Sequence, residues 1–495
     1  MLYTGGMVAG GKERTRALDF SELCRLCDKD YPADISSNLD VLYRVVLRPW
    51  SAAKQSSGPA WLKEIVAARY LCEYRYIRSR LESRPRSSAK PSPRPSKGSV
   101  LVPFSPCRRD HQALFYPVTG VLSKRGVNTF ILVSRGCFLH GVDQQLFSGS
   151  LFLISDDFYT FRAYRRAKKH YSRLKPWLSK LCYQLELNPR QSRHVHAFFQ
   201  SYCVDEEIFK AVLTLIQPFV VYGLHYIESP GYLAAMDETR AGDSGLIKLL
   251  IQHGIFTSGE FHDFKGADCV ILWGDYFKGV LNSQYLIPVP SCRVIGNPKL
   301  EIELGKPREG NASSKGPRIP KSGNTVLFAS TPDPAGGDYN KKALRLFAGS
   351  VHTCSGQWRV LYKPHPGETL AAYEPLVQNG LVEPGQIVGS GVSTHELIAG
   401  ADVVVGTKST VIVEAAALGK PVVQILPDMS GTDWTAHGLL GVSTEEELCS
   451  ALKGILSSNE YREKVLLAQQ TLVEKMFGKI AGSSQDIADY IMTLL

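Results

Sequence analysis

Ala401-Asp402-Val403-Val404-Val405-Gly406-Thr407-Lys408-Ser409-Thr410-Val411-Ile412-Val413-Glu414 is the stretch on which the fold turns. Residues 401–405 form an apolar, β-branched run of the kind that makes a strand buried on both faces of a parallel sheet. Residues 411–418 read as a helix, stopped by Gly419 and Pro421, and residues 421–426 are another apolar strand. Strand, polar turn, helix, strand is a βαβ unit. It places Ser409 and Thr410 at a helix N-terminus, where free N–H groups and the helix dipole favour a phosphate. Glu414, one turn on, is a carboxylate for sugar hydroxyls.

Upstream lies a second stretch of the same kind. Residues 358–362 read as a buried strand that runs into Tyr362-Lys363-Pro364-His365-Pro366. Lys363 and Lys408 are cations placed where strands end, which suits a leaving group that gains negative charge. Residues 325–330 begin this second α/β domain, and the loop 331–339 carries Gly336 and Gly337. Asp433 and Trp434 sit in a later Gly/Ser/Thr-rich loop. The chain closes with helices at 443–456, 459–477 and 484–495, the first with a capping box from Thr444 to Glu447.

Composition bounds the rest. The 495 residues are 44% hydrophobic and 21% charged, as in an ordinary protein of two or three domains. The formal charge of +10 suits an anionic ligand or an anionic membrane surface. Eleven cysteines are scattered, with only Cys24 and Cys27 as a C-x-x-C pair, so free buried thiols and a cytoplasmic setting are expected. Neither a secretory signal nor a run of about 18 apolar residues is visible, which predicts no membrane span.

Four segments are expected: a helical extension with a basic linker at 1–97, an α/β domain at 98–300, an interdomain linker at 301–322 and a second α/β domain at 323–495. The extension includes a basic amphipathic helix at 61–81 and a Pro/Ser-rich basic stretch at 84–97, which suit a peripheral contact with anionic lipid. Aromatics for base stacking are missing from the stretch 84–97, so nucleic acid is not expected.

In the first α/β domain, strands are predicted at 100–104, 129–134, 150–155, 219–222, 249–251 and 267–273, with helices at 113–124, 161–177 and 208–217. Alternation of this kind implies a doubly wound parallel sheet with ligands outside the C-terminal strand ends. Gln252-His253-Gly254 follows a strand there and leads to Glu260, His262 and Asp263, while Asp110 and His111 occupy the loop after the first strand. All are candidates for a site in a cleft.

The set Ile251-Gln252-His253-Gly254, Ala267-Asp268, Trp273-Gly274-Asp275 and Ile295-Gly296-Asn297-Pro298, followed by Lys363 to Pro366, Asp402, Ser409, Thr410 and Glu414, resembles surface-polysaccharide transferases of the GT-B type. Capsule, sialyl- and teichoic-acid glycerophosphotransferases share such elements. The resemblance runs from about residue 100 onward. It implies two Rossmann-like domains facing a cleft and a nucleotide-sugar donor, UDP- or CMP-linked, bound mainly by the second domain. His365 would then contact phosphate or ribose, Ser409 and Thr410 the phosphates, with Lys363, Lys408 and Glu414 as further donor contacts.

Three departures shape the expected chemistry. Gly406 stands eight residues before Glu414, where retaining enzymes often carry a paired glutamate. Ala415 follows Glu414, where related epimerases carry a second acid, and Lys408 stands where the teichoic-acid pattern has an acid. No D-x-D motif points to a metal-dependent site. An inverting transfer with no metal or further cofactor is therefore expected, with one base among His253, Glu260, Asp263, Asp110 and His111. The acceptor would be a glycan or a lipid-linked glycan. A glycerophosphotransferase, a sugar-nucleotide epimerase and a non-catalytic nucleotide-sugar-binding protein are the alternatives.

Overall fold

The computed structural model describes residues 98–495, apart from 104–108, 135–137, 140–141, 185–186, 225–229, 242–244, 257–266, 285–290, 306–323, 332–337, 355–357, 366–367, 369, 390–391 and 428–433. The extension and linker of residues 1–97, with the C-x-x-C pair, lie outside the described residues, as do Glu260, His262, Asp263 and Asp433.

The first half of the described chain runs β1 (Ser99–Pro103), α1 (Arg109–Lys124), β2 (Asn128–Val133), β3 (Leu151–Ile154), α2 (Phe161–Gln184), α3 (Pro189–Ile216), β4 (Val220–Leu224), α4 (Pro230–Ala241), β5 (Ile247–Ile251), β6 (Cys269–Leu272), α5 (Asp275–Gln284), β7 (Ser291–Val294) and α6 (Pro298–Gly305). Its strands form one parallel sheet in the order β3-β2-β1-β4-β5-β6-β7. The stretch from Glu301, read above as the start of a linker, begins inside α6.

The second half runs β8 (Asn324–Ala329), α7 (Tyr339–Thr353), β9 (Trp358–Lys363), α8 (Glu374–Gln378), α9 (Thr394–Gly400), β10 (Val403–Gly406), α10 (Thr410–Ala417), β11 (Val422–Ile425), β12 (Leu440–Val442), α11 (Glu445–Ser457), α12 (Asn459–Phe477) and α13 (Ser483–Leu494). Its five strands are also parallel, in the order β12-β11-β10-β8-β9. Both sheets are doubly wound, because each chain path starts inside its sheet and builds outward in both directions.

The apolar runs become strands because both sheet faces are covered. Val403, Val404 and Val405 are each fully buried, and Val404 and Val405 supply opposite faces. One face joins a continuous apolar cluster that also holds Trp273, Phe277, Ile412 and Trp434. The other packs with Phe328, Phe347 and Tyr362. Trp434, in the Gly/Ser/Thr-rich loop, is thus a core residue.

Helices α12 and α13 return to the first sheet. Phe477 stacks on Trp273 with ring centroids 5.8 Å apart. A side chain at Gly274 would meet the backbone of Lys475 and Met476, so only glycine permits this approach. Glu301 accepts hydrogen bonds from the backbone N–H groups of Gly482 and Ser484, and so fixes the start of α13.

Two aspartates serve the sheets in the same way. Asp268 Oδ2 accepts from the Lys248 N–H at 2.7 Å, and Asp402 Oδ2 from the Thr325 N–H at 2.8 Å. Each tethers the start of a neighbouring strand, at the end of the sheet opposite to where ligands bind.

Residues 159–208 and 229–235 form a compact unit of their own, and the remaining described residues form another. In the former, α2 buries Ala163, Ala167, Leu174 and Leu178, and Trp177 packs against Phe199 of α3.

The cysteine expectation needs one correction. Cys354 and Cys449 form a disulfide, because α7 ends beside α11 and brings their Cα atoms to 5.8 Å. Cys182, Cys203, Cys269 and Cys292 are free thiols. No helix among the described residues is long and apolar enough to cross a membrane.

Candidate functional site

In the second sheet the path goes from β8 to β9 on one side and then to β10 on the other, so β8 and β10 flank the switch point. Ligands bind outside the carboxyl ends of such a pair. β10 ends at Gly406, where a Cβ would come within 2.7 Å of Ile412 and 2.9 Å of the Ala329 carbonyl. The glutamate that retaining enzymes carry has no room there.

After Gly406 the polar turn is held residue by residue. Thr407 Oγ1 donates to Asn340 Oδ1 at 2.6 Å. The Lys408 ammonium lies 5.5 Å from the centre of the Tyr339 ring. Ser409 is the N-cap of α10, its Oγ accepting from the Val411 N–H at 3.1 Å. Thr410 Oγ1 accepts from the backbone N–H of Ile255, 155 positions earlier.

That bond joins the turn to the loop after β5. Gln252 is fully buried, its Oε1 accepting from the Trp273 N–H at 3.0 Å and its Nε2 donating to the Gly254 carbonyl at 2.9 Å. A side chain at Gly254 would lie 3.3 Å from Thr410 Oγ1. Next to it, the His253 ring meets His111 edge-on, centroids 4.4 Å apart. His111 is buried in the first turn of α1, just past the switch strand β1. His111, Gln252, His253, Gly254 and Thr410 are therefore gathered, while Asp110 begins α1 beside them in sequence.

Glu414 is 2% exposed and doubly bound. Lys299 Nζ donates to its Oε1 at 2.8 Å, and His395 Nε2 lies 3.1 Å from its Oε2. The other ring nitrogen of His395 is 3.8 Å from Glu303. Burial alone would raise the Glu414 pKa, but the Lys299 charge and the His395 hydrogen bond outweigh it and bring it down to about 2. Lys299, Glu303 and His395 are the residues that sequence reasoning missed. The available signal was Glu414 itself, a carboxylate inside an apolar helix, which demands a cation.

Lys363 and His365 belong to the end of β9. The Lys363 ammonium donates to the carbonyls of Gly389 and Val392, and burial lowers its pKa. The His365 N–H donates to Glu368 Oε2, whose other oxygen accepts from Ser330 Oγ. His365 is half-buried at this carboxylate-braced turn. Among the described residues, no group of three or more His, Cys, Asp or Glu side chains is placed to hold a metal ion.

No protein-family model matches the sequence, and a comparison with curated proteins finds no match. Solved structures do match. A putative UDP-N-acetylglucosamine 2-epimerase from Listeria monocytogenes is 14% identical, covers 80% of this chain and 96% of its own, and gives a TM-score of 0.52. A second UDP-N-acetylglucosamine 2-epimerase gives 14%, 80%, 95% and 0.52. The S. aureus MnaA–UDP co-structure gives 12%, 80%, 97% and 0.50. The fold is GT-B. At these identities the likeness concerns the fold alone.

Proposed function

We propose that this chain is a GT-B enzyme that binds a nucleotide-activated sugar at the carboxyl ends of β8 and β10 and transfers the sugar to an acceptor hydroxyl. The observation that carries this is the junction of Gly254 and Ile255, next to the His253–His111 ring pair, with Thr410. It sets an imidazole pair beside the N-terminus of α10, so a base and an anion-favouring helix end share one locality. His253, oriented by His111, takes the acceptor proton. The backbone N–H groups of the turn from Thr407 to Thr410 and the His365 side chain hold the phosphates, and the positive end of α10 stabilises the departing nucleotide.

The donor is UDP- or CMP-linked in this reading, the transfer inverting, and the acceptor a glycan or lipid-linked glycan of the cell surface. Inversion follows from the chemistry of one base acting in one displacement. The lack of room at Gly406 for a second carboxylate supports it.

A sugar-nucleotide epimerase is the second reading, favoured by the two UDP-N-acetylglucosamine 2-epimerases among the solved structures with the same fold. Epimerisation at a C–H centre needs groups on both faces of the sugar, whereas transfer needs one base. The deciding experiment incubates the purified chain with UDP- and CMP-sugars, with and without glycan acceptors, and separates the products. Acceptor-dependent release of nucleotide with an inverted linkage supports transfer. An epimeric nucleotide sugar formed without acceptor supports the second reading, and binding without turnover rejects both.

A further inference from the structure

Helix α2 is unlike the rest of the chain in its charge. Its 24 residues contain eight lysines and arginines and no aspartate or glutamate, against a net charge of +10 for all 495 residues. All eight are exposed. Arg162, Arg165, Lys169, Arg173 and Lys180 recur at helical spacing, while Ala163, Ala167, Leu174, Leu178 and Leu181 occupy the opposite, buried stripe.

Such concentration of like charge is unfavourable for the helix itself, since neighbours three and four apart repel. Among the described ion pairs of this helix, Glu207 lies 3.9 Å from Arg166 and Glu206 lies 2.9 Å from His170. Two large aromatics project from the same basic face: Phe161 is 51% exposed and Tyr183 is 84% exposed. The Arg165 guanidinium lies 5.8 Å from the centre of the Phe161 ring. A merely solvated face has no use for exposed aromatic rings at both ends. Basic residues interleaved with interfacial aromatics match a surface that is anionic outside and apolar just beneath.

We infer that the exposed face of α2 docks on an anionic phospholipid membrane, with the lysines and arginines on the headgroups and Phe161 and Tyr183 entering the interface. The inference is independent of the catalytic reading. The occupant follows from charge and from the rings together. A soluble polyanion would be met by charge alone and would leave the rings in water.

The test is co-sedimentation of the full chain with vesicles of phosphatidylcholine alone and of equimolar phosphatidylcholine and phosphatidylglycerol. Binding is expected only to the anionic vesicles, and weaker as salt is added. The variant R165S/K169S/R173S removes three charges from the exposed face and is expected to weaken partitioning roughly a hundredfold. A second variant, F161S/Y183S, is expected to weaken it while keeping the salt dependence. Both change exposed residues, and an unaltered melting temperature confirms the fold. Wild-type-like binding by the triple variant overturns the inference. So does equal binding to neutral vesicles, or retention by soluble heparin without vesicle binding.

Discussion

Lys299 of α6 and Glu414 of α10, 115 positions apart, meet as a buried ion pair with 2.8 Å between Nζ and Oε1. The pair links a helix of the first half to the helix that begins at the candidate phosphate turn. Removing the cation strands a charge in the core. Lys299→Met is expected to cost about 1–3 kcal/mol of unfolding free energy, because the buried carboxylate loses its cation and keeps only its His395 contact. Adding Glu414→Gln to that variant should restore a good part of the loss, as read by denaturant titration. Additive losses would show that the two residues do not act as a pair.

The same carboxylate makes stability depend on pH. Its folded pKa of about 2 lies below the ordinary glutamate value of 4.5, so its contribution is present above the unfolded pKa. It is lost as pH falls through the window from about 4.5 to about 2. A shift of that size corresponds to about 3 kcal/mol. Unfolding free energies measured at several pH values should show this acid loss in the wild type and a flatter profile in Glu414→Gln.

Ser409 and Thr410 are expected to separate. Ser409→Ala removes the α10 cap and should lower stability by about 1 kcal/mol. Thr410→Val leaves the Ile255 N–H without its acceptor, at a cost of about 1–3 kcal/mol. Calorimetric titration with UDP and CMP then shows whether either hydroxyl also serves phosphate. Ser409→Ala should bind nucleotide nearly as the wild type does, since its Oγ is already engaged with Val411.

His253→Ala is expected to lower acceptor-dependent turnover by about 10²- to 10⁴-fold, the range for loss of a general base, while nucleotide affinity is kept. His111→Ala should act in the same direction but less, because His111 orients its neighbour. Parallel losses of turnover and nucleotide affinity would contradict the assignment.

His365→Ala should lose a hydrogen bond to a charged group, about 1.5–3 kcal/mol, and weaken nucleotide binding about 10- to 150-fold. Glu368→Gln tests the brace, since Glu368 ties His365 to Ser330. Its expected effect on affinity is smaller than that of His365→Ala.

The strands were legible because parallel strands buried on two faces are uninterrupted apolar runs, as at Val403 to Val405. Helix ends were legible where they carry their own chemistry, as in the Thr444 and Glu447 capping box. Short helices such as α9, with only Leu397 and Ile398 buried, have too few turns to show a period. The contact of Gly254 and Ile255 with Thr410 joins two loops that each follow a strand, and the sequence marks the loops but not their meeting. The partners of Glu414 were not legible either, because Lys299 and His395 lie on separate elements and no local pattern marks an ion pair formed by folding. Gly406 was read as a missing acid, and contact distances supply the reason for its absence.

The return of α12 and α13 to the first sheet makes the order of domains in the sequence differ from the order of assembly. A ribosome finishes β1 to β7 long before it makes Phe477, so Trp273 waits without its stacking partner until α12 has been made. The first half is then a late-maturing structure despite being synthesised first. A nick in 306–323 would yield two fragments that must recombine to close the core holding Trp273 and Phe477, and a stop codon before α12 would damage the half of the protein farthest from it in sequence.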